Sequence, residues 1–359
     1  MLDARAWLVW VLTALFGAST VRNPLYSILL VLVTTVVGAV CIARDYHGPG
    51  QRSITTPLRF AALAIPLSGL FNALTVHFGD TPLLHLPLWL PLLGGPVTLE
   101  ALIFGVQVGL MLTAVFAGFS VFNQVTPVRD LVKLTPRAFH EVGVVLSIAL
   151  TLVPQTIRSL ERIRQAQAVR GHRVRGLRDW PPIIVPLLVS GLERSMGLAE
   201  AMVARGYGST TDQAQPLRTS AGLALGLLAV LGGWLLFLLQ AAWRGAGLGL
   251  MAGGVMLILI VVWLAGRSVH HTEYRPRHWT RKDTLVVAGC AVALAVVMLP
   301  PRLGRDTLYY SPFPHLSAPG FDPLVGLGLL ALLMPALVHR RSPHRPPMDE
   351  APVTWFDAL

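Results

Sequence analysis

Two arginines have the most informative chemistry in this sequence, because each stands directly before a glycine at the end of a predicted helix. The first helix ends in QAQAVRG, with Arg170 and Gly171, and the second ends in EAMVARGYGS, with Arg205 and Gly206. Glycine can adopt the left-handed conformation that ends a helix, and the negative end of the helix dipole favours a nearby arginine. A guanidinium can pair with a carboxylate through two hydrogen bonds. The pattern therefore predicts two charged helix tips.

The second helix is predicted to present one continuous stripe that ends at its arginine. The stripe follows alternating steps of four and three, through Ile184, Leu188, Gly191, Ser195, Leu198, Met202 and Arg205. Gly191 and Ser195 lack bulk, so another helix could cross closely there. The first helix has a weaker stripe, formed by Thr156, Leu160, Ile163, Gln167 and Arg170, with Arg158, Glu161, Arg162 and Gln165 mostly away from it. We therefore predict that the two helices of this pair cross at Gly191 and Ser195.

This pair of helix ends resembles the transmembrane component of energy-coupling factor transporters, importers of vitamins and metal ions that include the cobalt-uptake group. The signature of that family is two Ala-Arg-Gly motifs that end two crossing cytoplasmic coupling helices. The second motif is intact at 204–206, whereas the first has Val169 in place of alanine. The resemblance also covers RNPLY at 22–26, TPVRDLVKL at 126–134, LTLVP at 150–154 and VPLLVSGLERSMGLAEAMVARGYGS at 185–209, within residues 1–240.

The resemblance implies a transducer that links ATP hydrolysis to the uptake of a vitamin or metal ion. Each tip would enter a groove on one of two ATP-binding-cassette ATPase subunits, and the crossed helices would move a small substrate-binding membrane subunit. The residues implied in the ATPase contacts are Ala168, Arg170, Gly171, Ala204, Arg205 and Gly206.

ATP hydrolysis by the chain itself would require a GxxxxGK[ST] phosphate loop. Neither lysine, Lys133 or Lys282, follows a glycine. We therefore expect the chain to bind no cofactor, with ATP bound by the partner subunits.

The composition predicts an integral membrane protein. The 359 residues are 53% hydrophobic and 13% charged, which excludes an ordinary soluble enzyme. A net charge of +11 would suggest nucleic-acid binding in a soluble protein, but in a membrane protein it first indicates basic cytoplasmic loops.

Apolar runs of suitable length predict an all-α fold with about eight transmembrane helices and a cytoplasmic pair of crossing coupling helices. The predicted spans are 6–21, 25–43, 58–78, 97–122, 219–241, 247–266, 284–301 and 323–338. Two shorter apolar stretches are predicted not to span. We expect 82–96, interrupted by four prolines, to form an interfacial or re-entrant outer loop, and 142–154 to begin the first coupling helix along the membrane surface.

The distribution of basic residues predicts that both termini of this cell-membrane protein are cytoplasmic. This topology leaves only Arg22, Arg244, Arg302 and Arg305, of 29 basic residues, on the outer side. The predicted parts are an N-terminal membrane part at 1–122, a cytoplasmic coupling domain at 123–218, a C-terminal membrane part at 219–338 and a disordered tail at 339–359. The family more usually has one span after the coupling region, so three of the last four are additional.

Other interpretations of the sequence stay open. The two arginines could be ordinary helix ends near lipid headgroups, in a stand-alone carrier, an intramembrane enzyme or a membrane scaffold. His77 and His85, or His270, His271 and His278, suggest a metal site, but no carboxylate or cysteine completes a recognisable ligand spacing. We predict no metal site. Gln107 and Glu100 could line a partner surface, although Glu100 is expected to reach the lipid headgroups.

Overall fold

The computed structural model describes residues 2–45, 55–85, 95–135, 139–172, 176, 179–207, 217–239, 244–267, 279–298, 305–313 and 315–338. Its helices are α1 (Ala4–Thr20), α2 (Pro24–Asp45), α3 (Thr56–Thr75), α4 (Leu99–Val125), α5 (Val128–Val132), α6 (His140–Val169), α7 (Pro181–Ala204), α8 (Leu217–Leu239), α9 (Arg244–Arg267), α10 (Arg281–Val297), α11 (Pro323–Leu330) and α12 (Met334–Val338). Two short 3₁₀ helices cover Arg305–Leu308 and Ala331–Leu333, and two short strands are β1 (Pro82–His85) and β2 (Pro96–Thr98).

The predicted all-α integral membrane fold is confirmed. Each of the eight predicted spans coincides with helical structure, and seven helices among the described residues are long and apolar enough to cross a membrane. Those seven are α2, α3, α4, α6, α7, α8 and α9, while α1 and the Pro323–Val338 stretch are shorter apolar helices. Because α6 and α7 also qualify by length and composition, their cytoplasmic placement and the number of spans stay predictions.

The chain folds as two compact units. The first combines Met1–Pro127 with Pro276–Leu359, and the second is Val128–Arg275. Helices α10 to α12 therefore belong with α1 to α4, whereas α8 and α9 belong with α6 and α7. The division made from the sequence, into two membrane parts, a cytoplasmic coupling domain and a tail, stays a prediction. The residues of the predicted tail, 339–359, lie outside the described part.

The core of the first unit joins the two ends of the chain. Trp10 and Tyr26 are fully buried among residues of α1, α2, α4 and α10 to α12. The Trp10 indole N–H donates to the carbonyl of Leu332 at 2.9 Å. The buried carboxylate of Asp283 accepts from the Asp3 backbone N–H at 2.8 Å and also completes a capping box with Thr280 at the start of α10. These contacts make the C-terminal helices part of the same core.

Three loops of the first unit meet at one end of it. The Asn23 side chain, between α1 and α2, donates to the carbonyls of Thr307 and Gly320 at 2.6 and 2.8 Å. Asp80, after α3, pairs with His315 at 2.5 Å. Since Asp3 and Asn23 flank α1, the Asp3 contact with α10 lies at the opposite end. The loops of the first unit that the sequence assigns to the outer side are thus together.

The predicted loop at 82–96 begins and ends as an antiparallel hairpin of β1 and β2, and residues 86–94 lie outside the described part. The expectation that Glu100 reaches the headgroups is wrong. Its side chain is fully buried and accepts from the Thr81 backbone N–H and hydroxyl at 3.2 and 2.7 Å. Glu100 therefore ties the hairpin to the start of α4. Gln107, about two turns further along α4, is also buried.

In the second unit, α8 and α9 approach closely through glycines. A Cβ atom on Gly226 would lie 3.2 Å from the carbonyl oxygen of Gly254, and one on Gly233 would lie 2.7 Å from that of Gly247. Small residues at these positions allow the two backbones to approach, as in membrane helix pairs.

Candidate functional site at the ends of α6 and α7

Helix α7 ends in a complete Schellman motif. Gly206 has φ 79°, in the left-handed region, and its N–H donates to the carbonyl of Val203 at 2.9 Å. The Tyr207 N–H donates to the carbonyl of Met202 at 3.0 Å. These two hydrogen bonds satisfy carbonyls that the helix end would otherwise leave unpaired. Arg205 is the cap residue between them.

Helix α6 ends in the same way. Gly171 has φ 80°, its N–H donates to the carbonyl of Ala168 at 3.0 Å, and the His172 N–H donates to that of Gln167 at 3.0 Å. The prediction that both glycines end their helices in the left-handed conformation is confirmed. Val169 does not alter this backbone, because its side chain is 89% exposed. The valine therefore changes the outer surface of the tip and leaves its geometry intact.

Both arginines are exposed on these caps. Arg170 has φ −78° and ψ 7°, and Arg205 has φ −88° and ψ 6°, so the two residues share one backbone conformation. Among the described residues, neither guanidinium makes an ion pair or a hydrogen bond. Each charge is thus free to meet a carboxylate from another protein. Ala168 and Ala204, in the last turns, are exposed as well.

The two helices pack antiparallel, which sets the separation of the tips. The Gln167 side chain, near the end of α6, donates to the carbonyl of Pro182 at the start of α7, at 3.3 Å. Further from this end, Arg194 of α7 donates to the hydroxyl of Ser159 of α6 at 3.1 Å. Arg205 therefore lies at the other end of the pair, roughly 35 Å from Arg170 at 1.5 Å of rise per residue.

The contact face of α7 begins one residue before the predicted stripe. Ile183 is 1% exposed, whereas Ile184, the predicted first member of the stripe, is 41% exposed. Ser159 of α6, at 6% exposure, is the buried polar residue of this contact. Sequence reasoning missed Ser159 and Arg194, although Ile183, Leu187, Ser190 and Arg194 also follow steps of four and three.

Gly191 and Ser195 lie beside this contact face. Within the described part, a Cβ atom on Gly191 would meet nothing within 4 Å, and the Ser195 hydroxyl donates to the carbonyl of Gly191 at 2.9 Å. The two residues therefore form a shallow, open surface. The crossing of the two coupling helices at these residues stays a prediction. The surface has room for a helix from outside the chain.

The described residues contain no group of three or more His, Cys, Asp or Glu side chains arranged to hold a metal ion. His77 contacts the carbonyl of Pro96 at 3.4 Å, and His85 lies on β1. His270, His271 and His278 lie outside the described residues.

Comparison with known proteins matches residues 1–216, which include both arginine tips, to the family model described as cobalt transport protein, CbiQ. The curated relatives include three proteins named energy-coupling factor transporter transmembrane protein EcfT. The protein of Thermanaerovibrio acidaminovorans is 36% identical over 112 residues, which are 28% of this chain and 42% of the relative. That of Thermosediminibacter oceani is 31% identical over 157 residues, 37% and 59% of the two chains.

The protein of Streptococcus thermophilus is 39% identical over 74 residues, 19% of this chain and 28% of the relative. The chain thus matches between 28% and 59% of the length of each of these three relatives.

Proposed function

The chain belongs to the cobalt transport protein family, and from this premise we propose that it is the transmembrane component of an energy-coupling factor importer. Its role there is to link ATP hydrolysis by two ATP-binding-cassette subunits to a small substrate-binding membrane subunit. The observation that carries the proposal is that two tips, Arg170–Gly171 and Arg205–Gly206, have the same cap geometry and lie at opposite ends of one helix pair.

Each tip suits a shallow groove that contains a carboxylate. The left-handed glycine turns the chain away directly after the arginine, so the guanidinium projects from a blunt helix end. A planar guanidinium can form two parallel hydrogen bonds with a carboxylate, which fixes the direction of the helix as well as its position. A lysine at the same place would supply charge without that geometry.

The separation of the tips favours two ATPase subunits over one. A distance of roughly 35 Å, from the helix rise, is about the diameter of a small domain. Closure of two ATPase subunits around nucleotide would move both ends of the α6 and α7 pair, and the pair would pass this movement to the substrate-binding subunit. The open surface at Gly191 and Ser195 is suited to close contact with a helix of that subunit.

The chain itself is a non-enzymatic component in this scheme. Without a phosphate loop it leaves ATP binding to its partners, and the substrate, a vitamin or a metal ion such as cobalt, is chosen by the substrate-binding subunit. The distribution of basic residues supports a cytoplasmic location for α6, α7 and both termini in this scheme.

Purification from the native cell in mild detergent, followed by mass spectrometry of the associated proteins, tests this function. We expect two ATP-binding-cassette subunits, or two copies of one, together with a small membrane protein whose identity narrows the substrate. Purified chain without these subunits should show no ATPase activity. Transport by the chain alone in proteoliposomes would instead indicate a stand-alone carrier.

A further inference from the structure

Two arginines from different helices converge on one buried hydroxyl where α6 and α7 meet. Arg162 of α6 donates to the Ser159 hydroxyl at 3.3 Å, and Arg194 of α7 donates to the same oxygen at 3.1 Å. Because both guanidinium nitrogens contact one atom, they are close enough for one small anion to accept hydrogen bonds from both. This site is remote from the glycine-capped tips and independent of their proposed role.

The groove beside this junction is strongly basic. Its lining residues are Gln155, Arg158, Glu161, Arg162, Gln165 and Arg194. Within the described part of the chain, no carboxylate lies within 4.0 Å of the three arginines. The three arginines outnumber the single carboxylate of Glu161 in this lining, and Ser159 supplies only a neutral acceptor, so the like charges of the arginines repel each other. The groove therefore favours binding of an anion that accepts hydrogen bonds from both Arg162 and Arg194.

The groove lies where an exposed apolar surface gives way to a charged one. Along α6, the exposed side chains of Val145, Val153 and Ile157 all precede Arg158, and Ile157 is its immediate neighbour. On α7, the exposed Leu192 lies next to Glu193 and Arg194. An exposed apolar surface of this extent in a membrane protein faces hydrocarbon, so the adjoining charges lie at the depth of the lipid headgroups. Basic pockets between helices at this depth bind anionic headgroups.

We propose that this groove binds the phosphate of an anionic membrane lipid, with Arg162 and Arg194 donating to the phosphate oxygens and Arg158 adding charge at the rim. Glu161 lies in the same lining and opposes excess negative charge, which favours a singly charged phosphodiester over doubly charged free phosphate. The acyl chains would lie along the apolar surface of α6. Such a lipid would fix the α6 and α7 pair at the membrane surface.

The test uses full-length protein in a neutral detergent, titrated with phosphatidylglycerol, with phosphatidylcholine and with inorganic phosphate, and followed by native mass spectrometry. We expect phosphatidylglycerol to bind in preference to both other probes. A basic residue near an anionic membrane surface contributes ~1 kcal/mol, or about fivefold in affinity. Arg162→Ala combined with Arg194→Ala should therefore weaken binding about 25-fold.

Arg164→Ala is the matched control, because it removes the same charge from the same helix outside the groove, and it should change affinity less than twofold. The double variant with Arg162→Lys and Arg194→Lys keeps both charges but loses the forked donors of the guanidinium groups. Its affinity for phosphatidylglycerol should therefore lie between those of wild type and the alanine pair. Equal binding by the alanine pair and Arg164→Ala would overturn the site. Inorganic phosphate binding as tightly as the lipid would overturn the lipid assignment.

Discussion

Arg170 and Arg205 cap the two helices of one antiparallel pair at its opposite ends, in the same backbone conformation. The match extends to the glycine that follows each arginine and to both hydrogen bonds of each Schellman motif. Two ends built alike suit two equivalent binding sites, and the antiparallel packing keeps those sites apart. A pair of ATPase subunits that close on nucleotide would offer such sites in a symmetric arrangement.

The first prediction concerns the glycine that ends α7. Gly206→Ala places a Cβ atom on a residue at φ 79°, which costs about 1–2 kcal/mol for a left-handed residue. The last turn of α7 should fray, so the amides of Met202 to Tyr207 should exchange with deuterium about 5- to 30-fold faster.

Gly197→Ala is the control, because Gly197 lies inside α7 with nothing within 4 Å of an added Cβ atom. Alanine is the better helix former there, so exchange should be unchanged or slower. Equal acceleration in both variants would show that the effect is not specific to the cap.

The second prediction separates folding from assembly at the surface formed by Gly191 and Ser195. In Gly191→Leu the new side chain would project into open space, because no described atom lies within 4 Å of a Cβ atom at this position. The thermal unfolding temperature of this variant in detergent should therefore not fall. If a helix of a partner crosses there, the leucine side chain should block it and reduce both transport and recovery of the membrane subunit. Gly197→Leu, on another side of α7 and equally open, should leave transport unchanged. Transport by Gly191→Leu at the wild-type rate would show that no helix crosses there.

Local signals explain what the sequence predicted well. The ends of α6 and α7 depend on a glycine and its nearest neighbours, and the membrane helices depend on continuous apolar runs, so both could be recognised without tertiary information. The motif resemblance pointed to the family that the comparison then confirmed. The stripe on α7 was displaced by one residue because Ile183 and Ile184 are equally apolar, so periodicity does not distinguish which of them faces α6.

Long-range packing explains what the sequence did not predict. The Asp3 backbone N–H donates to the Asp283 carboxylate although 280 residues separate the two, and the sequence near either residue does not specify that contact. The same holds for Glu100, which appears in the sequence as a lone acid near a span end and is buried against Thr81. Arg162 and Arg194 both donate to the Ser159 hydroxyl, and this arrangement likewise depends on how α6 and α7 pack.

The third prediction is that the C-terminal helices stabilise the N-terminal part. Asp283→Ala leaves the Asp3 and Thr280 N–H groups without their buried acceptor, which should cost about 1–3 kcal/mol. The thermal unfolding temperature of the purified protein should fall measurably. Glu200→Ala removes an exposed acid from α7 and should leave that temperature unchanged. An unchanged temperature in Asp283→Ala would mean that the contact adds little to the core.

The fourth prediction is the orientation of the first unit in the membrane. Because Asp80 pairs with His315, the loops after α3 and before α11 lie at the same end. The distribution of basic residues predicts that this end is extracytoplasmic. A reporter at Asp80 or Tyr310 should then be accessible from outside, and one at Asp179 or at the C-terminus only from the cytoplasm. External labelling at Asp179 would contradict the cytoplasmic placement of the α6 and α7 pair.

The last prediction concerns the two arginine tips together. Removing one guanidinium while its carboxylate partner stays in a partly dry groove should cost about 2–5 kcal/mol in that contact, mostly through the unpaired acid. We expect Arg205→Ala to impair ATPase coupling and transport more than Arg170→Ala, because the exposed Val169 already alters the surface of the first tip. The double variant should lose the ATPase subunits altogether, since one docked tip no longer holds the other near its groove.

Uptake, ATP turnover and recovery of the ATPase subunits would be measured for the three variants and for Arg164→Ala. This control removes the same charge from α6 before its last turn and should behave like wild type. Both tip arginines are exposed, so their removal should not unfold the chain, and unchanged thermal unfolding would confirm that any loss arises at an interface. A double variant that assembled and transported like wild type would reduce both arginines to ordinary helix ends, and the proposed coupling role would fail.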